Sequence, residues 1–264
     1  MTKTAVKNLI TWSPNHLITS RKSAFTLAEV LITLAIIGVV ASMTIPTLVA
    51  KYEEKQTISQ VFRVYSTLSN AYQMMLAEYG PLNTWGLIDT DQGIDPDTGE
   101  RIFDWSAQKL IAERLKKYLR VSKTCEINKI CYDKISYTLS GEKLADVVIP
   151  EDGDDSPAEA RFFLNNGTYL GLGYFHDNEE IDFNVILPGK NSTLGKNRFY
   201  FVANSKGVIP EGKVVGNSFD YCDPTRTHKL AGRGCAAWII QNKNMDYLHC
   251  REKLGWDKAK SCKE

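Results

Sequence analysis

The sequence predicts an α+β fold: a long N-terminal helix, apolar in its first half, packed on a small antiparallel sheet that leads into a cysteine-rich C-terminal region. Three observations predict it. Residues 25–50 form an apolar run that holds one charged residue, Glu29. Directly after it, Ile58, Val61, Phe62, Tyr65, Leu68, Tyr72, Met75 and Leu76 recur at spacings of three and four, the mark of an amphipathic helix. Further along, the pattern turns to period-two alternation with hairpin signals, and all six cysteines lie beyond the apolar run.

The apolar run comes first. A bilayer core needs about 20 apolar helical residues, and residues 25–50 exceed that. An acidic side chain in such a helix costs about 3 kcal/mol unless a partner neutralises it, so Glu29 calls for one. The preceding 24 residues carry Lys3, Lys7, Arg21 and Lys22 and no acid, which keeps this flank in the cytoplasm. The helical pattern continues to Gly80-Pro81, where Gly at a helix end followed by Pro stops it. A helix from Phe25 to about Tyr79 spans roughly 80 Å. Pro46 interrupts it, lacking an amide and crowding the preceding turn, so a kink or a local melt is expected there.

A Gly- and Asp-rich loop follows between Pro81 and Arg101, then a second amphipathic helix through Trp105, Leu110, Ile111, Leu115, Tyr118 and Leu119. Arg161–Leu164, the turn Asn165-Asn166-Gly167 and Thr168–Leu170 read as a hairpin. Ile181–Ile186 and Arg198–Val202 flank the loop from Pro188, completing an antiparallel sheet of three or four strands. The organisation is thus a leader over 1–24, an apolar helix over 25–50, its amphipathic continuation over 51–80, a connector with a short helix over 81–157, and the sheet with the cysteine-rich region over 158–264.

Removing the leader's four cations from the formal net charge of +1 leaves −3, so net charge alone gives no nucleic-acid footprint. Whether nucleic acid is a partner stays open. Cys125, Cys131, Cys222, Cys235, Cys250 and Cys262 are an even set in an exported region, which points to disulfides. Fifteen pairings are open to six cysteines. Sequence proximity favours Cys125 with Cys131, Cys222 with Cys235, and Cys250 with Cys262. No C-x-x-C occurs, and the spacings fit no zinc site.

Little in the chain points to catalysis. Gly207–Lys213 imitates the start of a P-loop, but Val214 stands where a hydroxyl should hold magnesium. His16, His176, His228 and His249 are scattered, with neither H-E-x-x-H nor G-x-S-x-G among the motifs. No enzymatic activity, resident metal or other cofactor is expected. Asp89, Asp91, Asp95, Asp97 and Glu100 have the oxygen spacing of a calcium loop, yet Ile94 occupies the place that needs Gly. An acidic solvated loop is the reading, with calcium as its competitor.

Arg21-Lys-Ser-Ala-Phe-Thr-Leu-Ala-Glu29 resembles the processing site of type IV prepilins and type II secretion pseudopilins. The resemblance implies a pilin-like fold, cleavage by a prepilin peptidase between Ala24 and Phe25, and N-methylation of Phe25. Ala24 departs from the Gly usual in that family. The resemblance also implies Glu29's partner, the new amino group of Phe25 on a neighbouring subunit, and a helix that unwinds at Pro46 on packing. Asp182, Asn184, Gly189, Lys190, Gly195, Phe199, Pro210 and Gly212 loosely match a pseudopilin run. Missing the Gly after Asn184 and with Asn197 for an Asp, they carry over no metal ligands. The implied protein is a bacterial filament subunit, major or minor, of a type IV pilus-like or type II secretion pseudopilus. It is held in the inner membrane by one pass with its C-terminal domain exported, and its partners are sibling subunits and an inner-membrane assembly platform. Two alternatives compete: an ordinary signal peptide cut near Ser42, and a monomeric membrane-anchored binding or enzyme module that does not polymerise.

Overall fold

The computed structural model describes residues 25–126, 131–132, 135–144, 160–177, 179–212 and 221–263. The leader, Ala24 and His16 fall outside them, as do Lys213 and Val214. The chain divides after Val49 into an apolar helical segment and a head that begins at Ala50. One helix, α1 (Leu27–Tyr79), contributes to both.

Within the head, α1 buries Val61, Val64, Leu68, Ala71, Tyr72 and Met75, a stripe at helical spacing. It ends where Gly80 takes φ +81, with its N–H donating to the Leu76 carbonyl, as expected of a glycine C-cap. The stripe meets the inner face of a sheet built from β3 (Val121–Thr124), β6 (Ala160–Leu164), β7 (Tyr169–Phe175), β8 (Glu180–Ile186), β10 (Arg198–Asn204) and β11 (Gly207–Pro210). Their order is β11-β10-β8-β7-β6-β3, antiparallel throughout. Alternation decides which side chains turn inward: Phe199, Phe201 and Ala203 of β10, Ile181, Phe183 and Val185 of β8, and Leu170 and Leu172 of β7 are all fully buried. Tyr65 stacks on Phe201 with ring centroids 5.9 Å apart. The Tyr72 hydroxyl donates to the Asn204 carbonyl at 3.1 Å, and burial pushes its pKa up to about 12.

The sheet has six strands, not the three or four expected. The hairpin forms as read, turning at Asn165–Gly167, while β3 and β11 are edge strands too short for alternation to register. The second helix is α2 (Ser106–Lys116), buried through Ile111, Ala112 and Leu115. Part of the connector read as a loop is a two-stranded hairpin of β1 (Asp91–Ile94) and β2 (Arg101–Phe103). Its strands lie almost wholly exposed, so no apolar alternation marks them in the sequence. A small third sheet joins β4 (Ser136–Tyr137) to β5 (Lys143–Leu144) and, in parallel, to β9 (Ser192–Thr193).

The C-terminal region folds around α3 (Cys235–Asn242), whose Trp238 is fully buried. The Trp238 indole donates to Asn244 Oδ1 at 2.8 Å, and Asn244 Nδ2 donates to the Lys260 carbonyl at 2.9 Å. The Cys262 amide donates to Asp246 Oδ2 at 2.7 Å, so one polar chain pins the tail to α3. Close backbone approach at Gly212 (φ +123) lets β11 reach α3, since a Cβ there would lie 2.0 Å from the Gly234 carbonyl oxygen.

Candidate functional site

From Phe25 to Ala50 every residue is exposed except Ala41, which is half-buried. Phe25 is 83% exposed, and the leucines, isoleucines and valines that follow are exposed as well. It is the one described helix long and apolar enough to cross a membrane. Its hydroxyls are satisfied within the helix: Thr33 donates to the Val30 carbonyl, Ser42 to Val39, Thr44 to Val40 and Thr47 to Thr44. A segment surrounded by hydrocarbon requires that economy of polar groups.

Glu29 sits in the first turn. The Thr26 N–H and the Thr26 hydroxyl both donate to Glu29 Oε2 at 2.8 Å, and the Glu29 N–H donates to Thr26 Oγ1 at 3.2 Å. This is a capping box, with Thr26 as the cap residue and Glu29 three places on. The carboxylate therefore has a partner inside its own chain, one that the sequence reading missed. The signal was legible as Thr-x-x-Glu ahead of an apolar run. Thr26 holds Glu29 at the helix start.

Pro46 lies inside α1, which is helical on both sides of it in the single chain; the unwinding that the resemblance implies belongs to packing among subunits. A proline deletes one amide donor but leaves the neighbouring turns intact, and the adjacent threonines bond back onto the helix carbonyls.

The cysteines pair Cys125–Cys131, Cys222–Cys235 and Cys250–Cys262, with Cα separations of 5.9, 4.8 and 5.7 Å. In the acidic connector, Asp91 pairs with Arg101 at 3.4 Å, and Asp95 Oδ1 accepts the Asp97 and Thr98 amides. Asp97 and Glu100 stand exposed in the same hairpin, and Asp89 precedes it. No group of three or more metal-type side chains converges among the described residues. The pseudopilin-like run disperses over β8, β10 and β11. Its Asp182 receives a cation from the chain itself, because Arg233 Nη2 donates to Asp182 Oδ2 at 2.8 Å and the same guanidinium donates to Glu211 at 2.8 and 3.0 Å. Burial disfavours the Arg233 charge, yet the Glu211 and Asp182 carboxylates outweigh it and raise its pKa.

The three described histidines have separate partners. His176 rests against the Tyr174 ring, His228 Nδ1 accepts the Leu230 amide, and His249 Nε2 contacts Glu54 Oε1 at 2.8 Å. That last contact joins positions 195 residues apart, and no local pattern announces it.

Comparison with known families decides the reading of the N-terminus. Residues 19–45 match the prokaryotic N-terminal methylation motif. This is the prepilin-type cleavage and methylation signature of type IV pilin-like proteins, and it covers Ala24, Phe25 and Glu29. No curated protein and no solved structure matches the chain.

Proposed function

We propose that this chain is a structural subunit of a type IV pilus-like or type II secretion pseudopilus filament, assembled from the inner membrane after a prepilin peptidase cuts before Phe25. One observation carries the reading: the methylation motif opens directly onto an uncovered apolar helix whose first turn displays a carboxylate. In the membrane, lipid covers the helix and the exported head stands outside. On assembly, sibling helices replace the lipid, and dispersion and close packing replace one apolar contact with another.

Glu29 sets the register. A carboxylate among apolar helices is costly unless it meets a cation, and the methylated amine of Phe25 on the neighbouring subunit is positive and lies at the same depth. Thr26 keeps the carboxylate aimed and hydrogen-bonded until that amine arrives.

Glu29→Ala tests the reading. Membrane insertion stays at the wild-type level or rises slightly, while recovery in sheared filaments falls sharply, with Glu29→Gln between the two. Wild-type amounts of Glu29→Ala in filaments would refute the pairing. A membrane-anchored module working alone would be indifferent to the change.

A further inference from the structure

The segment from Leu187 to Asn197 joins β8 to β10 and carries β9. Its two ends are tied, with the Leu187 N–H donating to the Asn197 carbonyl at 2.8 Å. Inside it, Asn197 Nδ2 donates to the Asn191 carbonyl at 2.7 Å, and Asn197 Oδ1 accepts the Thr193 N–H at 2.7 Å. Three further bonds fix the segment to the head. The Ser192 N–H donates to the Ile135 carbonyl, the Leu194 N–H to the Tyr137 carbonyl, and the buried Tyr247 hydroxyl to the Gly195 carbonyl at 2.6 Å.

This segment lies against the Cys222–Cys235 disulfide. Gly195 has φ +71, and a Cβ there would lie 2.7 Å from Cys235 Sγ and 3.2 Å from the Gly232 Cα. The approach is equally close from the other side, since a Cβ on Gly232 (φ +101) would lie 2.6 Å from the Leu194 carbonyl carbon and oxygen. Only glycine permits such contact between backbones. Cys222 and Cys235 are both fully buried, whereas Cys131 and Cys262 of the other two bridges are half-buried.

A disulfide exchanges when a thiolate reaches one of its sulfurs, so access governs the rate. Full burial of both Cys222 and Cys235 denies an outside thiolate that approach while the segment is closed. We propose that the Cys222–Cys235 bridge is made by exchange with the disulfide of a partner protein before the Leu187–Asn197 segment closes, and that the closed segment then seals it. One thiolate of the pair attacks the partner's disulfide and expels one partner sulfur as a thiolate. The second attacks the chain's own sulfur in the mixed disulfide and expels the other partner sulfur. Two electrons pass from the chain's thiols to the partner's disulfide, and the two protons those thiols give up end on the partner's dithiol. Reduction by an outside dithiol retraces these steps and therefore needs the same open state. The supplying reaction is a dithiol oxidation that acts on the open head, and it holds for the head alone, whether or not the chain polymerises.

The test treats the folded full chain in detergent with dithiothreitol, blocks thiols with iodoacetamide at timed intervals, and maps the peptides. Cys125–Cys131 and Cys250–Cys262 open first, roughly tenfold or more ahead of Cys222–Cys235, because local opening of a half-buried bridge is the easier event. Tyr247→Phe removes the hydroxyl that holds Gly195, and Asn197→Ala removes the side-chain ties to Asn191 and Thr193. Each speeds reduction of Cys222–Cys235 by roughly tenfold and leaves the Cys125–Cys131 rate unchanged. Leu115→Ala, which hollows the core at fully buried Leu115 of α2 and leaves the segment intact, lowers the urea midpoint without changing the Cys222–Cys235 rate. Equal rates for the three bridges in the wild type would overturn the proposal, as would a Cys222–Cys235 rate that ignores both Tyr247→Phe and Asn197→Ala. Acceleration by Leu115→Ala to the same degree as by those two variants would overturn it as well, because the route would then be unfolding of the whole head.

Discussion

Arg233→Met is the sharpest perturbation of the head. The guanidinium donates three hydrogen bonds, two to Glu211 and one to Asp182, and lies over the Tyr200 ring at 4.4 Å. Glu211 has only 3% of its side chain exposed, Asp182 16% and Arg233 24%, so solvent screens this group weakly. Methionine keeps most of the volume but removes the cation that both carboxylates share. Breaking a buried pair from one side costs about 3–5 kcal/mol. The partial exposure of Arg233 puts the expected loss at the lower end, about 3 kcal/mol, a large fraction of a domain's total stability. In urea titrations of the full chain in detergent, followed by tryptophan fluorescence, the midpoint then falls by about 1 M. Arg233→Lys loses less, because it keeps the charge and gives up the fork. Combining Arg233→Met with Glu211→Gln and Asp182→Asn recovers much of the loss. A midpoint shift below about 0.2 M for Arg233→Met would refute the reasoning, since the carboxylates would then not depend on the cation.

Two further outcomes follow from the head. Cys222→Ser with Cys235→Ser lowers stability by about 2–3 kcal/mol, as expected for opening a short loop next to buried Trp238; an unchanged melting temperature would contradict it. The Tyr118 hydroxyl, then Tyr79 and Lys117, hold Glu78 down at about 2 from its ordinary 4.5. A depressed acid contributes stability above its unfolded pKa and loses it as pH falls through the folded one. Glu78→Gln therefore melts below wild type near neutral pH and converges with it near pH 2, and a gap that stays constant with pH would contradict that assignment.

Much of the architecture was legible because local chemistry announces it. The apolar run, the stripe from Val61 to Met75, Gly80-Pro81 and the Asn-Gly turn each carry a physical signal within a few residues. What stayed hidden was non-local or lacked contrast. The strand order, which carries β10 between β11 and β8, depends on pairings between distant segments. The hairpin of β1 and β2 is exposed on both faces and shows no alternation. In α3, Cys235 to Ile239 are buried on every side, which erases the helical period. Arg233 with Glu211 and Asp182, and His249 with Glu54, are contacts between far-separated positions. At the N-terminus the reverse held: Thr26 and Glu29 are three residues apart, and Thr-x-x-Glu ahead of an apolar run is a local capping-box signal.

The most direct measurement is the mass of the native N-terminal peptide from the assembled protein. The account predicts a chain that begins with N-methyl-Phe25, the leader through Ala24 having been removed. A mature chain beginning near Ser42, or an assembled form that keeps Met1, would contradict it.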